Sequence, residues 1–420
     1  MKYFLNNEKL ISIGKIVSFS LLIFFWELNI IKGVDFRVIV FFLLILTFYD
    51  RFFYYFKKNF KSFFLFLLLF FFITVHLYLN LLFDKNSIFF FPRDLIYILI
   101  SYIVVFFNLH FIRINLSKII FCFIFFFVIF TFINFLSVDY NILLSIYHRG
   151  LVLSCSYYGG WHGYTRFFFN ENSHLAMMSV PVVLYFFLGL ELNKLTLFKK
   201  FFIIIFFLFS IINYTLTFLV GIILGILSVF ISNLKYIHQK KIYIKIFSLI
   251  SLCFFFLISD PECRSKFYNS SSAITLKNKN LDLSSAVFVN SLNIAKVTIT
   301  ERPFGWGLNR YEDAYIKYAI NKKPIYKLDE FHNKLFEWNL NIKDASNNFS
   351  KLVTEFGIFS LIIFIYFVYF SFSSKASLKE KLFLNSLIIT QFLRGAGYFN
   401  GGFLICILIM LSISLSRKDV

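Results

Sequence analysis

The chain has 420 residues, of which 59% are hydrophobic and only 15% charged, and its 42 basic and 22 acidic side chains leave a net charge of +20. A soluble domain carries closer to about a quarter charged residues, and an outer-membrane barrel alternates apolar and polar positions over about 10 residues. Neither description fits: apolar runs of about 20 residues recur along the chain, the length needed to cross the hydrocarbon layer. The basic excess belongs to membrane orientation, and no nucleic-acid motif accompanies it. The 66 phenylalanines, with abundant Ile, Asn and Lys, read as the codon bias of an AT-rich genome.

The expected fold is an all-α polytopic membrane protein with about twelve transmembrane helices. In chain order, helices are predicted over 11–31, 34–50, 62–83, 93–112 and 117–136, which makes 1–136 a block of five. Residues 137–171 form a first polar loop, and 172–190, 199–213, 215–232 and 242–259 are four further helices within 172–259. A large loop takes 260–350, between the ninth and tenth spans, and helices over 351–372, 382–394 and 400–416 with a short tail complete 351–420. Within the large loop, SSAVFVNSLNIAKVTIT reads as an amphipathic helix. The first apolar run lacks a small-residue cleavage site, so no cleavable signal peptide is expected.

Cytoplasmic loops accumulate Lys and Arg. With both termini inside, the inner segments are KKNFK with Arg51, RINLSK, NKLTLFKK, LKYIHQKK, SSKASLKEK and the tail SRKDV, all basic. Merging the helices that meet at Asn213-Tyr214 would put LKYIHQKK and SSKASLKEK on the wrong face, so a tight hairpin is expected there. Both long polar loops then lie outside the cytoplasm, where length beyond about 15 residues signals function or disorder.

The polar sequence in and around these loops carries the candidate chemistry. In YHRGLVLSCSYYGGWHGYTRFFFNENSHLAMM, Arg149, Arg166 and Glu171 precede the sixth span; Arg166 pairs with Glu171 or headgroup phosphate, or serves a site. ERPFGWGLNRYEDAY supplies Arg302, Arg310 and Asp313, with Pro303, Gly305 and Gly307 permitting a close turn that presents Trp306 as a platform. Guanidinium forks suit phosphate oxygens and aromatic faces suit sugar rings; the competing reading is a turn that fastens the loop to the bundle. In DASNNFSKLVTEFGIF the acid Glu355 needs a partner, and Lys351, four residues earlier, is the local candidate. Arg394, in QFLRGAGYFNGGF, either caps a helix or reaches the same site.

His76 and His110 lie in apolar helices and read as hydrogen-bonded core residues, and the histidines lack the pairing of a zinc helix. Cys122, Cys253 and Cys406 read as packing residues, whereas Cys155 and Cys263 fall in the two outer loops, where a bridge between them stays open. No metal and no cofactor is expected.

These segments together resemble the O-antigen polymerase (Wzy) and O-antigen ligase (WaaL) superfamily over most of the chain. The resemblance rests on many spans with one large late periplasmic loop, TRFFFNENSHLAMM opening a middle helix, PFGWGLNRY in that loop, and SNNFSKLVTEFG leading out of it. Ligases usually carry His-Asn where this chain has Ser346-Asn347, and an arginine where YTLTFLVGIILG has Phe218. Asn170-Glu171-Asn172 is nearer the acidic polymerase version than the ligase Asn-Pro-Asn, so the polymerase branch is favoured. Arg149 and Gly160 have a spacing described in some polymerases, without a matching pair in the second loop.

The resemblance implies a metal-independent glycosyltransferase of the bacterial inner membrane. It would pass a growing glycan from undecaprenyl pyrophosphate to a hydroxyl of an incoming lipid-linked repeat, with inversion, in O-antigen or capsule synthesis. Glu171 is the expected base, with Asp313 second; Arg166, Arg302, Arg310 and Arg394 are the phosphate contacts, with Arg149 behind them. Trp306 and Asn347 complete the expected substrate contacts, and a chain-length regulator is an implied partner. A ligase-type transferase and a polysaccharide flippase are the alternatives; the absence of an internal repeat weighs against the flippase.

Overall fold

A computed structural model of the protein describes residues 8–24, 36–47, 60–83, 91–137, 172–189, 195–212, 214–231, 240–261, 264–265, 267–268, 283–320, 341–395, 397–400 and 402–415. The regular structure among the described residues is helical, without a strand. The helices are α1 Glu8–Phe24, α2 Phe36–Leu46, α3 Phe60–Phe83, α4 Phe91–Ser137, α5 Asn172–Gly189, α6 Leu197–Ile212, α7 Leu216–Phe230 and α8 Lys240–Ser259. There follow α9 Leu283–Glu301, α10 Tyr311–Tyr315, α11 Asn348–Phe356, α12 Ser360–Phe372, α13 Leu378–Leu393 and α14 Phe403–Leu415. Stretches Asp94–Phe132, Ile242–Ser259 and Asn348–Phe372 are long and apolar enough to cross a membrane.

One difference from the sequence expectation stands out. The helices predicted over 93–112 and 117–136 are a single helix, α4, of 47 residues. The polar segment RINLSK suggested a turn there, but neither glycine nor proline interrupts residues 93–137. Two of its polar groups find partners instead, one within the helix and one on α13. Asn115 donates from Nδ2 to the Phe111 carbonyl at 3.0 Å, and Arg113 donates from Nε to Glu380 Oε1 at 2.6 Å. The alternation of faces read from loop charge therefore does not follow from the structure across this segment.

At the other doubtful junction the chain bends. Helices α6 and α7 are set at 120° across the break after Ile212, with Thr215 capping α7 through the Phe218 N–H at 3.2 Å. The segment predicted as an amphipathic helix over 284–300 is α9, which packs on α11.

Packing centres on α5, α7 and α13, while α1, α6 and α14 lie against α4. Gly221 and Gly225 on α7 permit the close approach. A Cβ at Gly221 would fall 2.7 Å from Thr390 Cγ2 and 3.2 Å from Val180, and one at Gly225 would fall 2.7 Å from Leu184 and 3.0 Å from Ser386. Small residues four apart serve helix contacts where lipid is as apolar as the core. Thr390 spans the same interface, donating to the Met177 carbonyl at 3.2 Å.

Candidate functional site

The motifs PFGWGLNRY and SNNFSKLVTEFG, 35 or more residues apart in the chain, are joined through their backbones. Helix α11 stops at Gly357, whose φ of 55° ends the α conformation and leaves the carbonyls of its last turn without their usual partners. The loop supplies the donors. Trp306 N–H donates to the Thr354 carbonyl at 3.1 Å, Gly307 N–H to the Glu355 carbonyl at 2.8 Å, and Ile358 N–H returns to the Pro303 carbonyl at 2.8 Å. The competing sequence reading, a turn that fastens the loop to the bundle, thus describes the backbone of residues 303–307.

Beneath this clasp lies a buried ion pair. Lys351 Nζ stands 3.1 Å from Glu355 Oε1, with side chains 2% and 0% exposed, which is the local pairing expected from the sequence. Lys351 also donates to the Lys343 carbonyl at 2.5 Å and to Asn309 Oδ1 at 3.3 Å. The Glu355 carboxylate accepts two main-chain N–H groups, from Asn309 at 2.8 Å and from Tyr311 at 3.1 Å. A carboxylate buried with a cation and two amide donors is a satisfied one.

Asn309 joins three elements. Its backbone has φ 58°, the left-handed region that Asn tolerates better than most side chains. From there its side chain donates to Asp94 Oδ2 at 3.0 Å, in the first turn of α4, while accepting from Lys351. Sequence reasoning singled out neither Asn309 nor Asp94. An acid opening a long apolar helix was the available signal.

Among the expected phosphate contacts, Arg310 is 7% exposed and donates from Nε to Asp313 Oδ2 at 2.7 Å. Asp313, expected as the second base, is thus that arginine's counter-ion. Arg302 lies with its guanidinium carbon 3.8 Å from the centroid of Trp306, and Lys317 Nζ lies 5.5 Å from the same ring. Trp306, expected as a sugar platform, is buried and seats Arg302. Burial pushes the phenols of Tyr311 and Tyr315 above their ordinary value, so neither competes with a carboxylate as a base near neutral pH.

At the other end of α11, Asn347 is the N-cap: its Oδ1 accepts from the Ser350 N–H at 2.7 Å and its Nδ2 donates to Ser291 Oγ at 2.9 Å. Ala345 and Ser346 precede it with φ of 61° and 64°. Arg394 donates from Nη1 to Ser346 Oγ at 3.2 Å, and Gly395 N–H donates to the Ser346 carbonyl at 3.0 Å. Arg302, Arg310 and Arg394 are therefore arranged around one helix of nine residues, the first two at its C-terminal end and the third at its N-terminal end. Each has its own local partner. Arg149, Arg166 and Glu171 lie outside the described residues, as do Cys155 and Cys263. His76 is hydrogen-bonded as expected, through Nε2 to the Phe304 carbonyl at 2.6 Å, whereas His110, expected in the core, is exposed on α4.

A cavity among the described residues lies elsewhere. It measures about 300 Å³, sits between α5, α6, α7 and α8, and is lined by apolar side chains including Phe187, Phe218 and Leu252. Comparison of the chain with protein-family models, curated proteins and solved structures finds no match.

Proposed function

We propose that the protein is a repeat-unit polymerase for O-antigen or capsular polysaccharide, acting at the periplasmic face of the bacterial inner membrane with both termini in the cytoplasm. The observation that supports it most is the clasp: two of the motifs carrying the resemblance meet, and they bring Arg302 and Arg310 to Thr354–Ile358, where α11 ends within the candidate span Asn348–Phe372. Basic forks at that height suit a lipid-linked pyrophosphate.

In the proposed reaction an acceptor hydroxyl oxygen attacks the anomeric carbon of the donor glycan. The bond from that carbon to the undecaprenyl pyrophosphate oxygen breaks, its electron pair stays on the pyrophosphate, and the configuration inverts. Arginines neutralise the developing charge, commonly the largest catalytic term. The hydroxyl proton passes to a carboxylate, for which Glu171 is the candidate; Asp313 is held by Arg310. Ser346, in place of the ligase histidine, favours extension over transfer to a finished core.

A deletion strain separates the readings. Loss of a polymerase leaves cores capped by one repeat, loss of a ligase leaves bare cores with lipid-linked polymer, and loss of a flippase traps units inside. Purified protein that fails to lengthen a defined lipid-pyrophosphate repeat would remove the proposal.

A further inference from the structure

We infer that Glu355, paired with Lys351, is a positioning residue that aims Arg310; the inference rests on the transferase reading above. Glu355 never needs to touch substrate. Its carboxylate accepts the N–H groups of Asn309 and Tyr311, the residues on either side of Arg310, at 2.8 and 3.1 Å. The Arg310 N–H itself donates to the Gly307 carbonyl at 3.3 Å, and Gly307 N–H donates to the Glu355 carbonyl at 2.8 Å. One buried residue thus holds the main chain on both sides of the arginine directly, and the arginine's own N–H through Gly307.

The rest of the arrangement fixes the clamp. Lys351 balances the carboxylate at 3.1 Å and is held by the Lys343 carbonyl and by Asn309 Oδ1. Asp94 holds the Asn309 side chain from α4. Beyond the clamp, Asp313 fixes Arg310 Nε. The buried carboxylate needs such donors in any case, but drawing both from the two neighbours of one arginine also fixes the main chain from which that arginine projects.

The two roles separate by experiment on the full-length protein in nanodiscs. Wild type, Arg310→Ala, Glu355→Gln and the double variant Lys351→Met/Glu355→Gln are compared in extension of a lipid-pyrophosphate-linked oligosaccharide, in thermal melting, and in binding of inorganic pyrophosphate. Glu355→Gln should lose both melting temperature and turnover, because it strands a buried lysine. The double variant should recover its melting temperature, since no buried charge is left alone. Its turnover should stay down by about 100-fold, the cost of misplacing a catalytic group by an ångström, and its pyrophosphate binding should weaken as in Arg310→Ala.

A double variant that recovers turnover together with melting overturns the positioning role and leaves Glu355 as a stabilising group. Should it fail to accumulate, Lys351→Arg/Glu355→Asp gives the same comparison: the opposite charges remain while the shortened carboxylate withdraws from the two N–H groups. Its extending at the wild-type rate overturns the role equally. Arg310→Ala at the wild-type rate, in a protein that does extend glycan, removes Arg310 from the site and the inference with it. Wild-type protein that neither extends the oligosaccharide nor binds pyrophosphate sinks the transferase reading itself.

Discussion

Gly305 and Gly357 face each other across the clasp so closely that neither position has room for a side chain. A Cβ on Gly305 would sit 2.7 Å from the Gly357 nitrogen, and a Cβ on Gly357 would sit 2.6 Å from the Gly305 nitrogen. Both also have positive φ, 79° and 55°. The two residues belong to different motifs, and their contact is what lets the loop carrying Arg302 and Arg310 close onto α11.

Replacing either glycine by alanine should therefore separate the two backbones. Strain from the left-handed conformation alone costs of order 1–3 kcal/mol, and the clash with main chain adds to it. The expected result is a lowered melting temperature in detergent, with the hydrogen bonds of Trp306 and Gly307 exchanging faster.

Arg310→Ala should abolish glycan extension while protein levels stay normal. Arg302→Ala should do the same with an added cost of roughly 0.5–2 kcal/mol from the lost stacking on Trp306. Chain-length profiles on gels check both, and long chains from both variants would take the loop out of the site.

The ion pair Lys351–Glu355 gives a stability prediction that is independent of activity. Lys351→Met alone should cost about 3–5 kcal/mol, because Glu355 is wholly buried, whereas Lys351→Met/Glu355→Gln together should cost clearly less. A double-mutant cycle by thermal melting measures the difference.

At the opposite end of α13, Arg113 bonds to Glu380, which also serves in the capping box with Ser377. Glu380→Ala removes the reciprocal half of the capping box and a charge-assisted bond, with an expected loss of about 1.5–3 kcal/mol. Extension activity per folded molecule should fall far less than in Arg310→Ala, since the pair reaches the Arg310 loop only through α4 and α13.

Local signals carried much of this structure. Apolar runs located the helices, the amphipathic pattern located α9, and the four-residue spacing found Lys351 and Glu355. Charge alone failed at RINLSK, because a helix lacking Gly or Pro can continue when Arg113 finds Glu380 267 residues away. Asp94 and Asn309, 215 residues apart, offered no spacing to read. Trp306 illustrates another limit: composition places an arginine beside a tryptophan without saying that the arginine will cover it.

The pairs at the start and the middle of α4 and at the two ends of α13 have a mechanical meaning. Asp94 is tied to Asn309, and Arg113, nineteen positions further along α4, is tied to Glu380, from which α13 runs back to Arg394 and Ser346. At 1.5 Å per residue the stretch of α4 between these ties is about 28 Å. The two rods and these three ties make a closed gauge. It sets the distance of the Arg310 loop from Glu380 by a length written into the polypeptide, so inserting or deleting a helical turn between Asp94 and Arg113 would shift that loop by about 5 Å against α13.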